Sequence, residues 1–270
     1  MRAYLSVFRI LALLLPTLGF SGQGHASTLI PILDEYTEGN RENGLPANGY
    51  WGESQRYQQI WDSGLFGSEI LQINSISFRL DGTYGSSFDP ASFPNSEVYL
   101  STSDYTSKSL TPFFDLNRGA DNSLVGANFS LSASIGSGGT NAFNATLLFE
   151  TPFIYDPTLG SLLLELVLPF VPITSQFDAV TGEAVPGQRS IAPSTIGTSR
   201  LFALKSTSQY GWVTPQYGLV AAFDATPFDS SPIAVPLPAG IVLLGSAAGL
   251  LALTGVRRRR TVHRREPAAA

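Results

Sequence analysis

Between residues 27 and 234 the apolar residues come in short runs separated by turn-forming segments, and no long stretch keeps the 3.6-residue period of an amphipathic helix. This spacing confines the chain to an all-β fold. The clearest expected strands are Leu71–Leu80, Glu97–Ser101, Leu124–Ser132, Ala145–Glu150, Ser161–Leu168, Arg200–Lys205 and Gly218–Phe223. Their spacing suits a β-sandwich, jelly-roll-like, built as one domain over residues 27–225.

Two strands carry finer information. Leu71 and Ile73 sit on odd positions, whereas Ile76, Phe78 and Leu80 sit on even ones, so a period of two keeps both sets on one face only if a bulge intervenes near Asn74-Ser75. In Ser161–Leu168 the apolar run is broken only by Glu165, the pattern of a strand covered on both faces near the middle of a sheet. Asp81-Gly82, Ser137-Gly138-Gly139 and Asp156-Pro157 supply turns between strands.

Both termini read as targeting segments. Arg2 and Arg9 precede the apolar stretch Ile10–Leu15, and Gly24-His25-Ala26 places small residues where a signal peptidase reads, so residues 1–26 are expected to be a signal peptide cleaved before Ser27. Residues 226–234 form a Pro-rich spacer. From Leu237 to Val256 there are 20 residues without a charge, enough for one helix across the roughly 30 Å hydrocarbon core of a bilayer. Arg257, Arg258, Arg259 and Arg260 follow, with a tail over 261–270, and such a cluster stays on the cytoplasmic side. The domain before the span is therefore expected outside. Gly245 and Gly249 have the spacing that lets two membrane helices approach closely, but packing against a processing enzyme uses it equally well.

Composition excludes several chemistries. There is no cysteine, and the only histidines, His25 and His263, lie in the two targeting ends. Disulfides, Cys or His metal sites, and triads or dyads built on His are closed to the body of the chain. Residues 27–234 hold 8 basic and 20 acidic residues, a net charge of −12 that repels nucleic-acid phosphates. No nucleic-acid partner and no cofactor are expected.

Val235-Pro236-Leu237-Pro238-Ala239-Gly240, the apolar span and the Arg cluster together make residues 235–260 resemble the PEP-CTERM sorting domain of exported Gram-negative bacterial proteins, in its VPLPA form. The Glu found between the prolines of the commoner form is missing. The resemblance implies an exosortase that recognises the signal and cuts near the proline motif, a transient inner-membrane anchor, a final place at the cell surface or outside it, and an association with exopolysaccharide. A permanent tail anchor is the rival; a Gram-positive wall signal around Leu237-Pro238-Ala239-Gly240 would need a Thr-Gly ending that is absent. The body also resembles a group of β-rich ectodomains found with such signals. The match runs through residues 40–46, Arg56-Tyr57-Gln58-Gln59, Phe78-Arg79-Leu80-Asp81, Leu100-Ser101-Thr102, residues 117–121 and Tyr155-Asp156-Pro157. No activity comes with that likeness.

Three sets of residues are candidate sites. Asp115, Asn117 and Asp121 space oxygen-bearing side chains as a calcium loop does, but Gly119, Ala120 and Arg118 depart from that pattern; a plain Asx-rich turn is the preferred reading and no metal is assigned. Tyr50, Trp51, Tyr57, Trp61, Tyr210, Trp212 and Tyr217 pair an apolar ring with a polar edge suited to sugars. Most are expected in the core, and glycan contact is assigned to Trp51 and Trp212, whose Gly and Pro neighbours suggest loops. Asp62, Asp81, Asp89, Glu150 and Asp156 are the carboxylates from which a glycosidase pair would have to come. With no motif to mark one, the chain reads as a structural or adhesive surface protein and not an enzyme, with a carbohydrate-binding module as the alternative.

Overall fold

The computed structural model describes residues 28–31, 37–44, 54–182 and 196–228. In chain order its strands are β1 (Thr28–Pro31), β2 (Arg41–Gly44), β3 (Gln55–Trp61), β4 (Leu71–Phe78), β5 (Phe88–Ser92), β6 (Glu97–Ser103), β7 (Ser123–Ala127) and β8 (Ser130–Ala133). They continue with β9 (Ala145–Tyr155), β10 (Ser161–Leu168), β11 (Gln176–Thr181), β12 (Thr198–Ala203), β13 (Trp212–Thr214), β14 (Tyr217–Leu219) and β15 (Ala221–Pro227). A 3₁₀ turn at Ser63–Leu65 and the single-turn helix α1 (Phe114–Asn117) are the helical elements among the described residues. The fold is all-β.

One sheet has the order β1-β15-β4-β9 and another β13-β12-β3-β10-β6-β7; β14-β11-β2 and β5-β8 make two smaller sheets. Strand alternation explains how β3 and β10 reach the centre of the six-stranded sheet. Tyr57 and Trp61 of β3 and Leu162, Leu164, Leu166 and Leu168 of β10 join one buried cluster with Val98 and Leu100 of β6 and Ile73, Ile76 and Phe78 of β4. Trp61 meets Phe223 of the four-stranded sheet edge-on at 5.0 Å, and Phe66 packs on Phe223 and Tyr155 at 5.3 and 5.2 Å. Each such side chain contributes about 1.5–3 kcal/mol by leaving water. The opposite face of the six-stranded sheet is covered as well. Ile60, Leu163 and Leu201 pack there against Leu110 and Phe114, carried by the segment that follows β6.

Several expectations are met. The register of β4 against β9 shifts between Ile73 and Ser75, and against β15 between Ala225 and Asp224, so the bulge at Asn74-Ser75 keeps Leu71, Ile73, Ile76 and Phe78 buried. β10 has the expected bounds and lies between β3 and β6. Other expectations need correction. Leu124–Ser132 is two strands, β7 and β8, because Asn128 turns the chain at φ +48° and accepts the Asn95 amide at 2.7 Å. Gly218–Phe223 is likewise divided between β14 and β15, which lie in different sheets. β9 runs five residues beyond Glu150 to Tyr155, and β15 runs to Pro227, past the expected start of the spacer. β1, β2, β3, β5, β11 and β13 were not expected; β3 in particular hides behind the polar string Gln55-Arg56-Tyr57-Gln58-Gln59.

Among the described residues no helix is long and apolar enough to cross a membrane. The expected signal peptide, the motif at 235–240, the span at 237–256 and the cluster at 257–260 all lie outside the described residues.

Candidate functional site

An aromatic face forms where the edge strand β13 meets the loop before it. Trp212 pairs with Phe202 of β12, their rings 5.6 Å apart, and the chain just ahead of it is laced to the segment covering the sheet. The Gly211 amide donates to the Pro112 carbonyl at 2.9 Å, the Phe114 amide donates to the Gln209 carbonyl at 3.1 Å, and Tyr210 bridges Phe113. Gly211 is required at this crossing, since a Cβ there would collide with the Phe202 carbonyl. Tyr210 and Trp212, one on each side of that glycine, are 70% and 60% exposed. Both help to line a cavity of about 350 Å³ with Leu204, Lys205 and Ser208. Two flat rings beside an ammonium group and a hydroxyl can stack on the apolar face of a sugar while hydrogen-bonding its hydroxyls.

The other aromatic candidates take different places. Tyr57 and Trp61 are fully buried, and desolvation pushes the Tyr57 hydroxyl well above its usual range. Tyr217 donates to the Glu42 carbonyl at 2.7 Å and carries the Arg200 guanidinium over its ring at 4.0 Å. Trp51 and Tyr50 lie outside the described residues. Lys205, Ser208, Leu204 and Phe113 are the members of the aromatic face that the sequence reading missed. Its only signal was the Tyr210-Gly211-Trp212 string, because the pairing of loops nearly a hundred residues apart leaves no local mark.

Asp115, Asn117 and Asp121 do not converge on one point through their assigned bonds. Asp115 accepts from Arg56 at 2.8 Å and Arg118 at 3.2 Å. Asn117 is fully buried, donates to Gln58 Oε1 at 3.0 Å and to the Thr111 carbonyl at 2.9 Å, and accepts from the Thr111 amide and hydroxyl. Asp121 accepts the Thr102 amide at 2.7 Å. These contacts tie the segment down over Glu165, which is 1% exposed and accepts from Arg56, Gln58 and twice from Arg118 at 2.7–2.9 Å. That hydrogen bonding raises the Arg118 pKa further, and Phe114 and Tyr99 lie under the Arg56 and Arg118 guanidiniums. The expected break in β10 at Glu165 is thus a buried, charge-matched network.

Of the remaining carboxylates, Asp62 takes the Ser107 amide and hydroxyl, Asp156 takes the Thr158 amide and hydroxyl, and Asp81 takes the Thr83 and Tyr84 amides. Asp81 and Asp156 thus anchor their own turns, and Asp62 ties the end of β3 to the segment after β6. Asp89 is exposed in a cavity of about 410 Å³ between β5 and β8, and Glu150 is exposed on β9. Asp178, which the sequence did not single out, is fully buried in β11; desolvation pushes its carboxyl up to about 7, with Arg79 opposing and Glu38 adding to the shift. No family model, no curated protein and no solved structure matches the chain.

Proposed function

We propose that this chain is an exported, non-enzymatic surface or matrix protein that adheres to polysaccharide through Tyr210 and Trp212. The observation that carries the reading is the pair of exposed rings beside the Lys205 and Ser208 cavity. Two large rings grouped in water at one hairpin around a cavity fit a contact surface. The body is a β-sandwich of jelly-roll-like kind, a reading supported by the packing of Trp61 against Phe223 between the two larger sheets. A single transmembrane helix over 237–256 follows it. Residues 235–240 hand the protein to an exosortase after signal peptidase has removed residues 1–26, and cleavage frees it to join exopolysaccharide at the Gram-negative cell surface. The net charge of the body favours neutral over anionic glycans.

Trp61 is buried and Trp212 exposed, so glycan binding should change the fluorescence of the second and not the first. Titration with purified exopolysaccharides is expected to shift the emission, and Trp212→Ala is expected to remove the response while changing stability by only about 0.5 kcal/mol. A flat titration across neutral and acidic glycans, or an unchanged response in Trp212→Ala, would sink the adhesive reading.

A further inference from the structure

We propose that Glu38, Asp81 and Asp178 form a calcium site that fastens the segment before β2 to the end of β4 and to β11. One carboxylate oxygen from each residue lies within 4.8 Å of those of the other two. The three come from segments far apart in sequence, joined by backbone pairing. Asp81 donates its amide to the Gln176 carbonyl at 3.1 Å, the Asp178 amide donates to the Arg79 carbonyl at 3.0 Å, and Leu80 bridges Phe177.

Asp178 supplies the decisive observation. Its side chain is fully buried; Oδ2 accepts from Arg79 at 2.7 Å and from the Gly39 amide at 3.1 Å, while Oδ1 has no hydrogen-bond partner. Leaving a buried carboxylate oxygen without a partner is costly, because the water it has lost is not replaced. Glu38 repeats the pattern: Oε1 accepts the Gly82 amide at 2.7 Å, and the buried Oε2 has no partner. The two orphaned acceptors belong to a cluster in which three carboxylates are opposed by the buried Arg79 guanidinium, whose Nη2 also donates to the Thr37 carbonyl. With all three carboxylates ionised the cluster holds an excess of two negative charges, which a divalent cation would balance. Gly39 is shaped to this arrangement, because a Cβ there would collide with Asp178 Oδ1 and the Ala179 carbonyl.

The donor set selects the ion. Every ligand is a hard oxygen and the body has neither Cys nor His, which favours calcium or magnesium over zinc or copper. Three carboxylates within 4.8 Å of one another suit calcium, which takes six to eight oxygens in flexible geometry, better than magnesium, which keeps several waters and takes one or two carboxylates.

The test is calorimetric titration of the EDTA-stripped full chain with calcium chloride, alongside thermal melts with and without the ion. Binding of one calcium per chain and a melting midpoint raised by several degrees are expected. Asp178→Asn strips Arg79 of its charge partner and can prevent folding, so Glu38→Gln is the informative variant: its amide oxygen still accepts from Gly82, but one ligand charge is gone. It is expected to keep the native circular dichroism and to lose at least about tenfold in calcium affinity. No binding heat from folded wild-type chain, undiminished affinity in Glu38→Gln, or equal affinity for magnesium would overturn the assignment.

Discussion

Glu165 shows what a single ionised residue does in the middle of this protein. It sits on β10 with almost no exposure and meets two guanidiniums and the Gln58 amide, so no charge is left unmatched. Removing one member of such a set leaves the others buried and unpaired. Glu165→Gln is therefore expected to destabilise the domain by about 3–5 kcal/mol. Asp115 touches the same arginines but is 64% exposed, and Asp115→Asn is expected to cost about 1 kcal/mol or less because water replaces it. Urea unfolding of the two variants checks the contrast; equal losses would mean that the network is not held together by burial. Asn117, read from sequence as part of an Asx-rich turn, and Arg118, which departs there from a calcium-loop pattern, are the residues through which the segment is fastened to Gln58 and Glu165.

At the scale of the element, the bulge in β4 is the feature on which the core depends most directly. One extra residue, Asn74, against the neighbouring β15 lets four apolar side chains face inward from a strand whose plain alternation would send half of them out. Deleting Asn74 leaves Leu71, Ile73, Ile76 and Phe78 at alternate positions, so the domain is expected to fold with a regular β4. Deleting Ser77 instead turns Phe78 and the residues after it to the wrong face, including Leu80, and is expected to cost at least about 3–5 kcal/mol. Thermal melts of the two deletions decide the matter, and a Ser77 deletion as stable as the Asn74 deletion would show that register is not set by this face. β13 illustrates the opposite economy: as a short edge strand it leaves Trp212 in water, available for contact.

For the whole molecule, the proposed route from synthesis to the cell surface rests on residues at the two ends, and the described domain lies between them. Intact mass and terminal peptides of the protein recovered from membrane and extracellular fractions check the route. The expected product begins at Ser27 and ends between Pro236 and Ala239. A membrane-bound chain that keeps Arg257 to Ala270 would replace exosortase processing with a permanent anchor. The proposed calcium site has a consequence at this scale too, because it would stabilise the domain only where the ion is plentiful, as it is outside the cell.

The all-β class, the position of β10 and the bulge in β4 were legible in the sequence because each is a local alternation of apolar and polar residues, and alternation is what a sheet with a buried face requires. Gly211 and Pro215 at its flanks suggested a loop for Trp212, whereas it opens the short edge strand β13 and is exposed there. Tertiary structure alone decided the rest. β3 is polar by composition and central by position, because Arg56, Gln58 and Gln59 find their partners on strands more than a hundred residues away. Glu38, Asp81 and Asp178 look like unrelated surface acids along the chain; the pairing of Arg79–Asp81 with β11, and the bonds of Glu38 to Gly82 and of Gly39 to Asp178, bring them within 4.8 Å. A buried polar group is indistinguishable from a solvated one until the fold removes its water, since the energetic demand for a partner arises only then.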